Sequence, residues 1–278
     1  MNNNVIFPNG IKVPALGQGT WYMGENPNKK ADEIKALQTG IELGMTVIDT
    51  AEMYGDGLSE QLVGEAINGR REEVFLISKV LPWNASYNGT INACERSLRR
   101  LGTDRIDLYM LHWSGSYPIQ ETVEAMMKLQ DSGKILQWGV SNMDVAEMED
   151  FMALPDGNTC ATDEVLYNLT RRGIEYDLMP WCENHNIPII AYSPIEQGRL
   201  LNNPTLRRIA DAHSATPAQI ALAWVLRKPN ALAIPKASNE KHVRENFGCL
   251  SVNLTDTDIE LLDKAFPAPQ YKKPLEMI

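Results

Sequence analysis

The stretch TVIDTAEMYGDGLSEQLVGEAI, residues 46–67, decides the fold because it holds one complete strand–loop–helix unit. TVIDTA opens with apolar and β-branched residues, as expected of a strand that is buried on both faces. SEQLVGEAI has the apolar spacing of a helix. Asp49 ends the strand and Tyr54 follows in the loop, close to glycines at 55 and 57. A loop cap and a surface phenol would explain these two residues equally well when each is taken alone.

The same alternation continues along the chain. We predict a helix over about residues 30–43, and the later helices are NACERSLRRL, ETVEAMMKLQ, VAEMEDFMAL, IEYDLMPWCENH, one helix from IADAH to IALAWVL, HVRENFG and DTDIELLDKAF. The later strands are VFLISKV, IDLYMLHW, ILQWGVSN, DEVLYNL, IPIIAYSP and ALAIPKAS. VIFPNGIKV carries an Asn-Gly pair between two β-prone runs, which predicts a hairpin. Together with the segment PALGQGT before the first helix, these strands give eight β/α units, which favour a single (β/α)8 TIM barrel over residues 1–278, with an N-terminal β-hairpin and a C-terminal extra helix. A doubly wound parallel sheet is the alternative fold.

Composition narrows the class of protein. The 278 residues carry a formal net charge of −10, which argues against a nucleic-acid partner. The N-terminus has no basic segment followed by an apolar run, and no apolar stretch approaches the length of a membrane span. The four cysteines are widely spaced and form no CxxC pair, so neither a disulfide framework nor a structural zinc site is expected. We therefore expect a cytoplasmic protein without a membrane partner.

Polar side chains end seven consecutive predicted strands. They are Asp49, Lys79, His112, Ser141 with Asn142, Glu164, Tyr192 with Ser193, and Lys236. Singly, Lys79 could be a solvated lysine and His112 a packed core histidine, but packing alone does not explain the repeated register. In a TIM barrel these strand ends meet at one face. There, a cationic Lys79 would lower the pKa of the Tyr54 phenol, and Asp49 would hold Lys79 charged and oriented.

These motifs resemble the aldo-keto reductase family over the whole chain. The segments that carry the resemblance, in family order, are GQGTW, DTAEMYGDGLSE, LISKV, LYMLHW, WGVSN, EVLYNL, AYSPI and AIPKAS followed by HVREN. The resemblance implies a TIM-barrel enzyme that reduces aldehydes or ketones to alcohols with NAD(P)H. It further implies a catalytic tetrad of Asp49, Tyr54, Lys79 and His112. Tyr54 would protonate the developing alkoxide, while His112 would orient and polarise the carbonyl oxygen.

The resemblance also implies a cofactor site. Ser141 and Asn142 would hold the carboxamide, Tyr192 would stack on the nicotinamide, and Lys236 would bind the 2′-phosphate of NADPH. The complete set of expected cofactor-binding residues is Gly19, Thr20, Trp21, Asp49, Ser141, Asn142, Glu164, Tyr192, Ser193, Gln197, Gly198, Lys236, Ala237, Ser238, His242, Glu245 and Asn246.

Two positions depart from the family pattern. Glu164 stands where many relatives have Gln, and His242 where many have Arg. The second change removes a permanent cation from the expected phosphate site, so NADPH is favoured and NADH is expected as a weaker alternative. An ionised Glu164 would favour the oxidised cofactor, unless a proton, Arg171 or Arg172 neutralises it.

The expected substrate contacts are Trp21, Tyr54, Trp83, His112 and Trp113. The short tail after Phe266 predicts an open pocket that accepts small or aromatic aldehydes such as methylglyoxal. We expect no metal and a monomer or weak oligomer.

Two other functions are also compatible with the sequence. One is a binding role without turnover, as in the potassium-channel β subunits of the same family. The other is a metal-dependent hydrolase, although only His112 among the four histidines ends a strand.

Overall fold

Eight parallel strands form the centre of the molecule. The structure is a computed structural model and describes residues 3–278. After an antiparallel hairpin of β1 (Asn4–Ile6) and β2 (Lys12–Pro14), the parallel strands are β3 (Gln18–Gly19), β4 (Val47–Asp49), β5 (Phe75–Val80), β6 (Ile106–Leu111), β7 (Ile135–Ser141), β8 (Asp163–Leu166), β9 (Ile189–Tyr192) and β10 (Ala231–Ala233). Every residue of β5 and β6 is buried, which is why these segments read as continuous apolar runs.

The parallel strands pair in sequence order from β3 to β10. β3 and β10 are then brought together by parallel bridges that join Leu16 to Ala233 and Gly19 to Lys236. A Cβ on Gly19 would lie 2.6 Å from the carbonyl oxygen of Ile234, so only glycine permits this close approach. The predicted TIM barrel is therefore confirmed, and the doubly wound sheet is wrong.

Helices surround the barrel. They are α1 (Lys30–Leu43), α2 (Leu58–Ala66), α3 (Tyr87–Leu101), α4 (Ile119–Asp131), α5 (Val145–Met152), α6 (Leu178–Asn184), α7 (Pro204–Ala212), α8 (Pro217–Leu226), α9 (Glu240–Phe247) and α10 (Asp256–Ala265). The N-terminal hairpin and the C-terminal extra helix α10 are both present as predicted. Among the helices of residues 3–278, none has the length and apolarity that crossing a membrane would require.

Two predicted helices are divided. The segment from IADAH to IALAWVL forms α7 and α8, because Thr216 accepts from the backbone N–H of Gln219 in a capping box and Pro217 begins the second helix. IEYDLMPWCENH forms a short 3₁₀ turn, Gly173–Glu175, before α6. In both cases the polar cap residue overrides the apolar spacing that continues on either side of it.

Candidate active site

The carboxyl ends of the strands surround a cavity of about 590 Å³. All seventeen residues expected to bind the cofactor line it, as do Tyr54, His112 and Trp113. Lys79 is fully buried beneath Tyr54 rather than in the wall, and Trp83 does not line the cavity. The structure thus gathers at one face of the barrel residues that lie up to about two hundred positions apart in the sequence.

Asp49, Lys79 and Tyr54 form one buried chain of polar groups. Lys79 is the penultimate residue of β5 and has no exposed surface, and its Nζ lies 2.5 Å from Asp49 Oδ1 and 3.4 Å from the Tyr54 hydroxyl. The same ammonium donates to the backbone oxygen of Thr50 at 3.2 Å. Burial alone would lower the pKa of Lys79, but the charges of Asp49 and Glu164 raise it above its ordinary value. Lys79 is therefore a permanent cation.

The pKa of Tyr54 differs from the sequence-based expectation. Burial raises the pKa of the phenol above its usual value, and the charge of Lys79 offsets only part of this rise. The expectation that Lys79 lowers the pKa is thus right for its own contribution and wrong for the net shift, because desolvation of the phenolate is the larger effect. Tyr54 is consequently protonated throughout the neutral range, as a proton donor has to be.

His112 follows β6 and completes the group. Its ring packs edge-on to Tyr54, with centroids 5.8 Å apart and an interplanar angle of 74°. Burial and the nearby charge of Lys79 hold the pKa of His112 well below its usual value, so the imidazole is neutral and one ring nitrogen carries a proton. The buried Nδ1 has no partner among the described residues. A neutral imidazole in this position can donate a hydrogen bond without adding a charge to the site.

The ends of β7, β8 and β9 are joined by hydrogen bonds. Ser141 Oγ donates to the backbone oxygen of Glu164 at 2.9 Å. Asn142 donates from Nδ2 to the backbone oxygen of His112 at 3.1 Å and accepts at Oδ1 from the Tyr192 hydroxyl at 2.8 Å. Asn142 also has a positive φ of 60°, a conformation that asparagine tolerates better than most residues. Asn142 and Tyr192 are therefore fixed in place before any ligand enters.

The side chain of Glu164 points towards the buried ammonium of Lys79. Its Oε1 lies 3.3 Å from Lys79 Nζ, its Oε2 has no hydrogen-bond partner among residues 3–278, and the residue is 2% exposed. The expected alternative of neutralisation by Arg171 or Arg172 is wrong. Arg171 pairs with Glu196 and Glu276, while Arg172 pairs with Glu175 and Asp263.

A sharply turned loop after β9 forms part of the cavity wall. Its residues Ser193, Gln197 and Gly198 line the cavity, and these three and Glu196 have positive φ values. Asn168 stabilises this loop by donating from Nδ2 to the Ser193 oxygen at 2.9 Å and to Glu196 Oε2 at 2.8 Å.

Lys236 lies beyond β10, in the part of the cavity that α9 borders. The residue is exposed, although partial desolvation of its ammonium still lowers the pKa of Lys236 below the ordinary value. At the start of α9, the His242 ring nitrogen Nδ1 is 3.2 Å from Glu245 Oε2, so the exposed histidine pairs with an acidic neighbour. Because Lys236 lines the cavity, its ammonium can pair with an anionic ligand that enters there.

Aromatic rings line the mouth of the cavity. The ring of Trp21 stacks on that of Tyr22 with centroids 4.5 Å apart, and the ring of Trp113 packs against that of His112 with centroids 4.8 Å apart. Trp83, which was expected to contact substrate, is 61% exposed and touches Trp113 edge-on from outside. It lies in the turn Pro82–Asn84, which directs its ring towards solvent.

The C-terminal tail also reaches the cavity, which the sequence did not predict. Met277 and Ile278 line it, and the tail is fixed by an ion pair of 2.6 Å between Glu276 and Arg171. The tail, although short, therefore forms part of the cavity wall. Sequence reasoning also missed the cavity residues Tyr22, Met53, Pro194, Ile195, Leu201, Ala218, Ile234, Pro235 and Asn239. Most of them are apolar or lie next to predicted site residues in the sequence. Their position beside those residues is the signal that could have identified them.

Within residues 3–278, no three His, Cys, Asp or Glu side chains are grouped so as to hold a metal ion. The cavity presents the protonated phenol of Tyr54 on a buried ammonium, the neutral imidazole of His112 and, beyond β10, the lysine Lys236. This arrangement can give a proton to an oxygen that gains negative charge. It can also bind an elongated anionic ligand along the loop after β9 and Lys236.

Comparisons of the sequence and of the structure with known proteins point to the same family. The model of the aldo/keto reductase family matches residues 15–266. The sequence is 54% identical to the methylglyoxal reductase YeaE of Escherichia coli (strain K12), over 99% of this chain and 98% of that protein. It is 33% identical to a glyoxal reductase of Bacillus subtilis (strain 168), over 95% of this chain and 92% of that protein. A crystal structure of an aldo/keto reductase from Klebsiella pneumoniae, in complex with NADP and acetate, is 49% identical and covers the whole of both chains with a TM-score of 0.98.

Proposed function

This chain belongs to the aldo/keto reductase family, and we propose that it reduces small aldehydes and ketones to alcohols with NADPH, using Tyr54 as the proton donor. The observation that carries the proposal is the buried contact of Tyr54 with Lys79, which in turn pairs with Asp49. Family membership makes the protein an oxidoreductase. The roles of the individual residues and the choice of carbonyl are our inferences from the geometry.

The cavity fits a nicotinamide dinucleotide. Its volume of about 590 Å³ lies within the usual range of ligand pockets. Asn142 and Tyr192 would hold the nicotinamide end, the backbone of the loop after β9 would lie along the pyrophosphate, and Lys236 would pair with the 2′-phosphate. The Klebsiella relatives were solved with NADP and with NADPH, which supports the same choice here. NADH, which lacks the 2′-phosphate, would bind more weakly. When bound, the cofactor supplies the hydride that reduces the carbonyl carbon.

The protein's own residues manage the carbonyl oxygen. His112 would donate a hydrogen bond to this oxygen and so orient and polarise it. Tyr54 would give it a proton as negative charge develops, and Lys79 would stabilise the phenolate left behind. Asp49 keeps Lys79 charged and in position. The burial of these groups makes each electrostatic interaction stronger than it would be in water.

The aromatic mouth suggests the substrate class. Trp21, Tyr22 and Trp113 give the entrance apolar walls, and Met277 narrows it from the tail side. Such walls suit small or planar carbonyl compounds better than large hydrated sugars. The names of the Escherichia coli and Bacillus subtilis relatives support methylglyoxal and related small dicarbonyls as candidates.

The test is a carbonyl panel with two matched variants. Oxidation of NADPH and of NADH is followed with methylglyoxal, aromatic aldehydes, aldoses and keto steroids. Tyr54→Phe should lower kcat by about 10²-fold or more and leave NADPH affinity nearly unchanged, because only proton transfer is lost. Tyr22→Phe removes a phenol from the same cavity away from Lys79 and should retain activity. Near-normal turnover by Tyr54→Phe would refute the assignment.

A further inference from the structure

Lys79 is shared by two buried carboxyl groups. Asp49 Oδ1 lies 2.5 Å from its Nζ and Glu164 Oε1 lies 3.3 Å from the same atom. None of the three side chains is more than 2% exposed. If both carboxyl groups were ionised, this buried cluster would carry a net negative charge, which a low-dielectric interior strongly disfavours.

The surroundings of Glu164 supply no second cation. β4 contributes Asp49, β5 contributes Lys79 and the loop after β4 contributes Tyr54. β9 contributes Tyr192, and β8 itself contributes the neighbouring acid Asp163. In the salt bridges of residues 3–278, Lys79 is the one cationic partner that Glu164 has.

The geometry identifies which of the two carboxyl groups holds a proton. Asp49 is the closer partner of Lys79, whereas Glu164 is farther away and has a buried Oε2 for which the described part of the chain provides no hydrogen-bond partner. Burial and the negative charge of Asp49 raise the pKa of Glu164 well above its usual range. Because Glu164 also lines the cavity beside Asn142 and Tyr192, a charge that enters there will act on it directly.

We propose that Glu164 is protonated in the cofactor-free enzyme and releases that proton when the oxidised, but not the reduced, nicotinamide cofactor binds. The inference rests on the proposed function, since it requires the nicotinamide to occupy the end of the cavity that Glu164 borders. The oxidised ring is a cation and the reduced ring is neutral. A cation next to Glu164 favours the carboxylate, so the proton leaves to solvent and the charge of the cluster changes by one unit.

Proton release has a thermodynamic consequence of definite sign. The oxidised cofactor binds the deprotonated enzyme more tightly, so its affinity increases as pH rises towards the raised pKa of Glu164. For one proton the dissociation constant falls by at most about tenfold per pH unit. The reduced cofactor shows no such linkage to Glu164. The two cofactors carry the same phosphate groups, so any titration of these groups or of the phosphate site cancels in the ratio of the two dissociation constants.

The experiment measures that ratio from about pH 6 to 8 by fluorescence and calorimetric titration of the whole enzyme. Calorimetry in buffers of different ionisation enthalpy counts the protons released on binding NADP⁺ and on binding NADPH. In the wild type we expect NADP⁺ to release up to one proton more than NADPH, and the ratio of the NADP⁺ to the NADPH dissociation constant to fall as pH rises. In Glu164→Gln we expect NADPH still to bind, the ratio to be independent of pH, and the difference in proton release to be lost.

Asp163→Asn is the matched control, because it removes a neighbouring buried carboxyl group of β8 whose Oδ2 also lacks a hydrogen-bond partner in the described range 3–278. It should keep the pH dependence of the wild type. A wild-type ratio that does not change with pH, with both cofactors bound, would overturn this inference and leave the reductase proposal standing. A pH-dependent ratio that persists in Glu164→Gln would overturn it as well. Failure of the wild type to bind either cofactor would instead refute the proposed function.

Discussion

Replacing Lys79 by Met tests the electrostatic core of the site. The Nζ atom of Lys79 lies 3.4 Å from the Tyr54 hydroxyl. At an effective dielectric constant of about 20, a positive charge at that distance stabilises the phenolate by about 5 kcal/mol. This is an upper bound, because the Asp49 carboxylate beside Lys79 repels the same phenolate. We therefore expect kcat to fall by between about 10² and 10³-fold, within the range for positioned proton transfer.

The affinity for NADPH should change little, because Lys79 lies beneath the cavity and does not line it. The diagnostic observation is the pH profile of the reverse reaction, the oxidation of an alcohol, in which Tyr54 has to act as a base. Loss of Lys79 removes a contribution that lowers the pKa of Tyr54, so the rising limb of this profile should move to higher pH.

Stability distinguishes a catalytic effect from damage to the fold. In Lys79→Met, Asp49 and Glu164 lose their cation, and an unpaired buried charge typically costs about 3–5 kcal/mol. Both carboxyl groups then have folded-state pKa values raised further above their unfolded values, so stability decreases as pH rises. Urea denaturation should therefore show a larger loss at pH 8 than at pH 5.5. The double variant Asp49→Asn/Lys79→Met should regain stability without regaining activity. A kcat within about threefold of the wild type, with an unshifted pH profile, would refute the reasoning.

Two further substitutions test the ends of the cavity. Lys236→Met should weaken NADPH about 10- to 100-fold and NADH much less, since only NADPH carries the 2′-phosphate. Fluorescence titration measures the dissociation constants of both cofactors. An equal loss of affinity for NADPH and NADH would place the 2′-phosphate site elsewhere. Glu276→Gln breaks the partly exposed ion pair with Arg171 that fixes the tail. It should raise KM for small aldehydes by at most about fivefold with kcat nearly constant, because such a pair contributes at most about 1 kcal/mol. Steady-state kinetics with methylglyoxal test this, and an unchanged KM would show that the tail does not form part of the substrate site.

The sequence predicted the barrel and the residues at its strand ends for a physical reason. A strand buried on both faces is a short apolar run, and a polar residue that ends such a run marks the point where the chain leaves the sheet. Asp49, Lys79 and His112 are visible in this way because each interrupts an apolar run. The break between α7 and α8 had a local signal too, in the Thr-Pro-Ala-Gln sequence of a capping box, but the apolar period on both sides concealed it.

Contacts between distant segments left no comparable signal. Arg171 and Glu276 are separated by 105 positions, and nothing local indicates that they pair and place Met277 and Ile278 in the cavity wall. Trp83 lies outside the cavity lining for a related reason. Its position after β5 is right for a substrate contact, but the direction of its ring depends on the turn Pro82–Asn84 and on Trp113. Side-chain direction in a loop is set by neighbours that the sequence does not identify.

The contact between Lys79 and Glu164 means that glutamate in place of glutamine at this position adds a group that can bind or release a proton, and not only a negative charge. Read as an isolated residue, Glu164 adds a negative charge near the nicotinamide site. In the structure it joins an ion pair that is already balanced, since Asp49 neutralises Lys79 at 2.5 Å. A buried carboxyl group added to a balanced pair gains more by binding a proton than by ionising. Glutamine at this position could neither bind nor release that proton. Glu164 therefore leaves the charge of the resting site unchanged and adds a response to a cation that enters the cavity, which is why its substitution should alter discrimination between cofactors more than turnover.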